Sequence, residues 1–319
     1  MNKRITYIDS LKGFAIFLVV FGHVLQGKVF PTAIPLHELI YSFHMPLFMF
    51  LSGLFAYKAE EAVEKGAAIT FLKKKMLLLI VPCMIWSILM CIYKKENFFY
   101  DVILKGGFHY WFLFLLFIFF AIIIAVSMVK TNKKIKLILF LLPWLTIYFL
   151  SSDTIVAEVF NKNRFLHNYP FFIMAYYARK NNKIMNILSS WKSGIPCIII
   201  FIIGYKYLIT TFLLGGGILA VLAIIGLLFL FKNIMSLGEN PILRKWGNMT
   251  LEIYLVHYFL TGLIPNTLTY LMGRSIFTIA SAQCLFICIV CSIAIIQICT
   301  YFYTVINKKQ ILRKVLFGR

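Results

Sequence analysis

Lys12 and His23 bracket the first long apolar run of the chain, Gly13 to Val24. They are 11 residues apart. At 100° per residue that spacing returns within about 20° of the same helix face, and it separates the two groups by about 16 Å along the axis. Asp9 lies one turn before Lys12 on the same side. A cation at one edge of a bilayer and an imidazole deep inside it suit a ligand with an anionic head and a reactive end. Near neutral pH an imidazole serves as general base or as nucleophile. The competing reading is a lysine whose ammonium reaches back to the interface and a histidine that only packs. A histidine inside an apolar span is costly enough that function is the first hypothesis.

Two further runs carry groups of the same kind. Phe43-His-Met-Pro-Leu-Phe-Met-Phe-Leu-Ser-Gly53 places His44 and Ser52 in a second apolar segment. If the first two segments run in opposite directions, His44 and His23 lie towards the same side and face a shared space. Pro46 and Gly53 break helix regularity there, and Ser52 on its own more commonly bonds back to its helix. Gly247-Asn-Met-Thr-Leu-Glu-Ile-Tyr-Leu-Val-His257 puts Thr250, Tyr254 and His257 at i, i+4 and i+7, a polar face on an apolar helix. Glu252 is off that face and reads as interfacial. Trp111, after Gly106-Gly-Phe-His-Tyr110, reads as aromatic-belt material. Cys284, Cys288 and Cys291 form a stripe with no histidine or acid to complete a ligand set, so no metal site is expected and the cysteines read as small hydrophobes.

The elements that must hold these groups are membrane helices. Of 319 residues 61% are hydrophobic and 13% charged, against about 45–50% and about 25% for soluble domains. The charges cluster between apolar blocks, as a bilayer demands. Spans are predicted near 12–30, 36–57, 76–93, 110–129, 134–151, 163–178, 194–209, 212–231, 249–272 and 275–305. The sixth is short and contains Pro170, and a tight turn near Thr210 and Thr211 separates the seventh from the eighth. With the N-terminus inside, every cytoplasmic segment is basic: Lys3 to Lys12, Lys58 to Lys75, Lys130 to Lys136, Arg179 to Lys192, Lys232 to Lys245, and Lys308 to Arg319. That asymmetry favours an even number of spans with both termini cytoplasmic. It also accounts for the net charge of +21 through the positive-inside pattern and anionic lipid headgroups, and argues against nucleic acid as a partner. The expected architecture is therefore all-α and polytopic, with about ten spans. The loops are too short for a soluble core, so residues 1–319 form a single transmembrane domain. The basic N-terminus followed by an apolar run imitates a signal peptide, but His23 interrupts the run and no convincing cleavage site follows, so it reads as a retained first span.

Together these motifs resemble the acyltransferase-3 family of bacterial membrane acyltransferases. Tyr7-Ile-Asp-Ser-Leu-Lys-Gly through Gly22-His23 is similar to that family's first-span signature of a basic residue, ten intervening residues and a histidine. Residues 43–53 resemble its second-span motif, Tyr110-Trp-Phe-Leu113 its Trp-Phe-Leu element, and Gly247 to His257 its closing motif. The resemblance implies acyl-CoA, most often acetyl-CoA, as a cytoplasmic co-substrate, with no permanently bound cofactor. The acceptor would be a hydroxyl of a cell-surface sugar, glycolipid or polysaccharide precursor, and the location the bacterial cytoplasmic membrane. His23 would be the catalytic base or acyl relay, and Lys12 would hold the donor. Arginines common before the third span are replaced here by Lys73, Lys74 and Lys75, which would take over contact with the CoA phosphates as point charges rather than planar forks. Asp9, His44, Ser52, Trp111, Tyr254 and His257 would line the cavity or the acceptor side. The rival from another class is a transporter or flippase for a lipid-linked sugar. A permeation path, however, has no need of a cation and an imidazole in this register.

Overall fold

The computed structural model describes residues 5–26, 34–98, 109–152, 154–208, 214–272 and 281–319, and every regular element among them is helical. In chain order these are α1 (Thr6–Leu25), α2 (Ile34–Tyr41), α3 (His44–Gly53), α4 (Tyr57–Glu64), α5 (Ala68–Lys75), α6 (Val81–Lys94), α7 (Trp111–Met128), α8 (Lys133–Phe149) and α9 (Ile155–Val159). There follow α10 (Lys162–Lys180), α11 (Asn182–Leu188), α12 (Trp191–Leu208), α13 (Leu214–Asn233), α14 (Met235–Gly238), α15 (Pro241–Asn248), α16 (Thr250–Met272), α17 (Ser281–Ile306) and α18 (Gln310–Phe317). A π-helical turn, Met76–Ile80, joins α5 to α6.

The protein is a multi-pass membrane protein. Among the described residues six helical segments are long and apolar enough to cross a bilayer: Thr6–Leu25, Leu36–Glu64, Ala68–Lys94, Trp111–Met128, Gly216–Asn233 and Leu285–Ile306. A seventh arises if Asn182–Leu188 and Trp191–Tyr205, bent by 45°, count as one span. A helix also occupies each of the remaining predicted positions, but α8 is only 17 residues long, and α10 carries Lys162, Arg164 and Pro170 in its first half. Two boundaries differ from the sequence reading. The first helix begins at Thr6 rather than near Lys12, so Lys12 lies within it. The second segment is three helices rather than one, interrupted at Ser42–Phe43 and Leu54–Ala56. The turn expected near Thr210 and Thr211 and the glycines at 106 and 107 lie outside the described residues.

The chain divides into two compact units. The first comprises Met1–Phe48 and Lys183–Ile306. Its core is built on α1, which packs against α13, α15, α16 and α17. Leu11, Ala15, Ile16, Val20 and Val24 of α1 meet a buried layer that includes Leu219, Ile224, Ile253, Leu255, Ile295 and Ile296. Cys288, Cys291 and Cys299 are buried in this layer, in keeping with a packing role; the Cys284 side chain lies outside the described residues. Glycine sets the closeness of the α1–α15 seam. A Cβ on Gly13 would overlap the Leu243 carbonyl, and one on Gly247 would overlap the Asp9 carbonyl. The start of α15 is fixed by Asn240, whose Oδ1 accepts from the amides of Ile242 and Leu243 at 3.0 Å each, with Pro241 in the first turn. Ser10 Oγ donates to the Gly238 carbonyl at 2.8 Å, a buried tie between α1 and α14.

The second unit comprises Met49–Asn182 and Asn307–Arg319. An aromatic cluster of Phe119, Phe120, Phe165, Tyr169 and Phe172 joins α7 to α10. The buried carboxylate of Glu60 collects Tyr176 Oη at 2.7 Å, Lys180 Nζ at 2.5 Å and Lys136 Nζ at 3.5 Å, tying α4, α8 and α10 together. The C-terminal α18 docks on α6, with Trp86 Nε1 donating to the Leu316 carbonyl at 2.8 Å and Phe317 fully buried. Apolar side chains remain exposed along α8 (Ile138, Leu142, Phe149) and, in the first unit, along α12 (Ile199, Ile202, Ile203). Exposed apolar faces of this extent suit acyl chains rather than water.

Candidate active site

His23 lies in the last turn of α1. Its Nδ1 faces Gln26 Oε1 at 3.3 Å and Tyr41 Oη at 3.4 Å. The Tyr41 hydroxyl donates to Gln26 Oε1 at 3.1 Å, which turns its oxygen lone pair towards His23. Two acceptors at Nδ1 select the tautomer with the proton there, leaving the Nε2 lone pair for chemistry. Gly22 makes the arrangement possible, since a Cβ there would press on the Tyr41 ring.

Tyr41 is also the link between α1 and the histidines that follow it. Its ring lies 3.9 Å from that of His37, one turn earlier on α2, and 4.6 Å from that of His44, the first residue of α3. His44 is buried, and its Nδ1 donates to the Ile40 carbonyl at 2.9 Å. Thus Tyr41 bridges His44 and His23, touching both rings.

The opposite wall is α16. The His257 ring centroid is 5.3 Å from that of His23, and Tyr258 stands edge-on to His23 at 5.4 Å. His257 is 2% exposed. Its Nδ1–H is shared between the carbonyls of Tyr254 at 2.8 Å and Ile253 at 3.1 Å. Its Nε2 is buried with no hydrogen-bond partner among the described residues. Tyr254 adjoins His257 at 5.8 Å. Glu252, read from sequence as interfacial, is fully buried instead, because α15 and α1 close over the start of α16.

Lys12 stands on the same helix as His23, and its ammonium pairs with Asp9 at 3.7 Å. The structure therefore places Asp9, Lys12, His23, His44, Tyr254 and His257 in the first unit, with His23 and His257 in ring contact and Asp9 and Lys12 paired further along α1. Ser52, Lys73, Lys74, Lys75 and Trp111 belong to the second. There Lys73 and Lys74 are exposed at the end of α5, and the Lys75 ammonium lies over the Phe120 ring at 3.9 Å. Trp111 carries the Arg164 guanidinium on its face at 4.8 Å, a cation–π pair. Ser52 is partly buried beside Gly53, whose backbone abuts the Phe172 carbonyl.

Gln26, His37, Tyr41 and Tyr258 were not singled out in the sequence. A signal was present for two of them: His37, Tyr41 and His44 recur at i, i+4 and i+7, the same pattern that marked Thr250, Tyr254 and His257. Gln26 is simply the i+3 neighbour of His23.

The match to known proteins covers the same residues. The model of the acyltransferase-3 family, described as an acyltransferase domain, matches residues 5–297. The chain belongs to the acyltransferase-3 family. Both histidine-bearing walls of the cluster fall inside the matched range. Among characterised proteins the chain is similar to nodulation protein NolL of Sinorhizobium fredii, at 32% identity over 126 residues, which is 35% of this chain and 33% of that protein. It is also similar to nodulation protein NolL of Mesorhizobium japonicum, at 31% identity over 103 residues, 31% of this chain and 27% of that protein. The chain thus spans about a third of the length of these relatives. No solved structure matches it significantly.

Proposed function

We propose that the protein is an O-acyltransferase that takes an acyl group, in this reading acetyl, from cytoplasmic acetyl-CoA and delivers it to a hydroxyl of a cell-surface sugar, glycolipid or polysaccharide precursor. The observation that carries the proposal is the cluster in which partly buried His23 and buried His257 stand with ring centroids 5.3 Å apart, each with Nδ1 on an acceptor. Lys12, on the same helix about 16 Å away along the axis, is the group for an anionic part of the donor. Lys73, Lys74 and Lys75 add cationic surface for the CoA phosphates. In the first unit His44 and Tyr254 shape the acceptor side, and Ser52 and Trp111 of the second unit are further candidates for acceptor contact. In this reading the chain has ten spans, both termini are cytoplasmic, and the membrane is the bacterial inner one. The basic segments from Lys58 to Arg319 support that orientation.

A strain deleted for the gene should lose alkali-labile acetate from its surface carbohydrate, and the wild-type copy should restore it. Unchanged acetate in the deletion, together with a purified protein that consumes no acetyl-CoA, would refute the proposal.

A further inference from the structure

We infer that acyl transfer runs through an acyl group carried on His23 Nε2, with His257 Nε2 as the base that receives the acceptor's proton; this rests on the acyltransferase reading above. Direct transfer from thioester to hydroxyl needs one base. A relay needs two lone pairs, because His23 acylated on Nε2 and protonated on Nδ1 has none left to deprotonate an acceptor. The structure supplies the second lone pair. His257 Nδ1–H is committed to the carbonyls of Ile253 and Tyr254. Its Nε2 is buried and without a partner among the described residues. A buried lone pair without a donor carries an uncompensated desolvation penalty, and an incoming hydroxyl removes it. The two rings are tilted by 41° with centroids 5.3 Å apart, close enough for one bound hydroxyl to reach both.

The steps balance. His23 Nε2 attacks the thioester carbon, an N–C bond forms, the C–S bond breaks, and CoA leaves as the thiolate, which takes a proton from solvent. The acceptor oxygen then attacks the acyl carbon while its proton passes to His257 Nε2. The new O–C bond forms, and the N–C electron pair returns to His23. His257 releases its proton to solvent, and the net products are ester and thiol. Holding the acyl group on His23 also lets donor and acceptor occupy the protein in turn, which suits a donor and an acceptor on opposite sides of a bilayer.

The test uses the full-length protein in nanodiscs with acetyl-CoA and isotopically labelled CoA, and no acceptor. A relay moves label from CoA into acetyl-CoA. His23→Ala should abolish this exchange. His257→Gln should keep it within about twofold and keep acetylhydroxamate formation from hydroxylamine, a nucleophile strong enough to need no base. Transfer to methanol, a weak hydroxyl probe, should fall 10²–10⁴-fold in that variant. His257→Asn, which retains a side-chain donor for the two carbonyls, guards against loss of fold. The inference is overturned if the wild type transfers acetyl to methanol yet exchanges no CoA, or if the His257 variants lose exchange and transfer together while still binding acetyl-CoA. A wild type that consumes no acetyl-CoA at all would instead refute the acyltransferase reading.

Discussion

Tyr41→Phe removes one oxygen from the centre of the imidazole cluster and leaves the ring that packs against His37 and His44. Two interactions go with that oxygen: the hydrogen bond to Gln26 Oε1 at 3.1 Å and the longer approach to His23 Nδ1 at 3.4 Å. The first is a normal hydrogen bond, and the second lies at the limit of the range. A neutral hydrogen bond is worth about 0.5–1.5 kcal/mol net. Gln26 still accepts from His23 at 3.3 Å after the change, so the Nδ1–H tautomer is weakened rather than lost. The loss should therefore fall mainly on the turnover step, and at about 1.4 kcal/mol per tenfold kcat should drop by about 2- to 12-fold. The acetyl-CoA KM should stay within about twofold, because Lys12 is untouched. Initial rates of CoA release by the purified variant, with thermal unfolding measured alongside, give both parameters. An unchanged kcat, or a loss confined to KM, would refute the role given to Tyr41 in orienting His23. Gln26→Leu with Tyr41→Phe should exceed either single change, since the pair shares the task of holding Nδ1–H.

Lys12→Ala should raise the acetyl-CoA KM by about 5- to 30-fold, the equivalent of about 1–2 kcal/mol for a phosphate-pairing ammonium at an interface. A rise confined to the acceptor KM would reverse the orientation proposed for α1. Gly247→Ala should cost about 1–3 kcal/mol by forcing a methyl into the Asp9 carbonyl across the α1–α15 seam, seen as a lower unfolding temperature of the solubilised protein. Gly217→Ala on α13, where a Cβ meets nothing within 4 Å, should be neutral or slightly stabilising, and equal losses at both sites would remove the packing argument. Reporter fusions at residue 319 and after residue 192 should both report cytoplasm, and a periplasmic signal at either would overturn the ten-span topology.

Much of the cluster was legible in the sequence because membranes make polar groups conspicuous. His23, His44 and His257 stand out in apolar runs, and the register of Lys12 with His23 follows from helix geometry alone. Tyr41 and Tyr258 were not legible in this way, since tyrosine is common at apolar–polar boundaries and only tertiary packing shows which of them touches His23. Glu252 was misplaced because its position along α16 says how near it is to the helix start and nothing about α15 folding over it. The break of the second segment into α2, α3 and α4 was partly visible in Pro46 and Gly53, but the interruptions fall at Ser42–Phe43 and Leu54–Ala56, where neither residue stands. The Glu60–Tyr176–Lys180 network links residues 116 and 120 positions apart, a separation over which no local pattern carries a signal.

The central claim is that His23 is the group without which no acyl group moves. Purified wild type and His23→Ala should be compared for acetyl-CoA binding and for acetyl transfer in the same preparation. The variant should fold and bind acetyl-CoA through Lys12 and the basic helix ends, since one imidazole is not a core. Its transfer rate should fall by at least 10²–10⁴-fold, the usual contribution of a general base. A His23→Ala protein that keeps a tenth or more of the wild-type transfer rate, while His257→Ala or His44→Ala abolishes it, would contradict the account and move the catalytic centre to another helix.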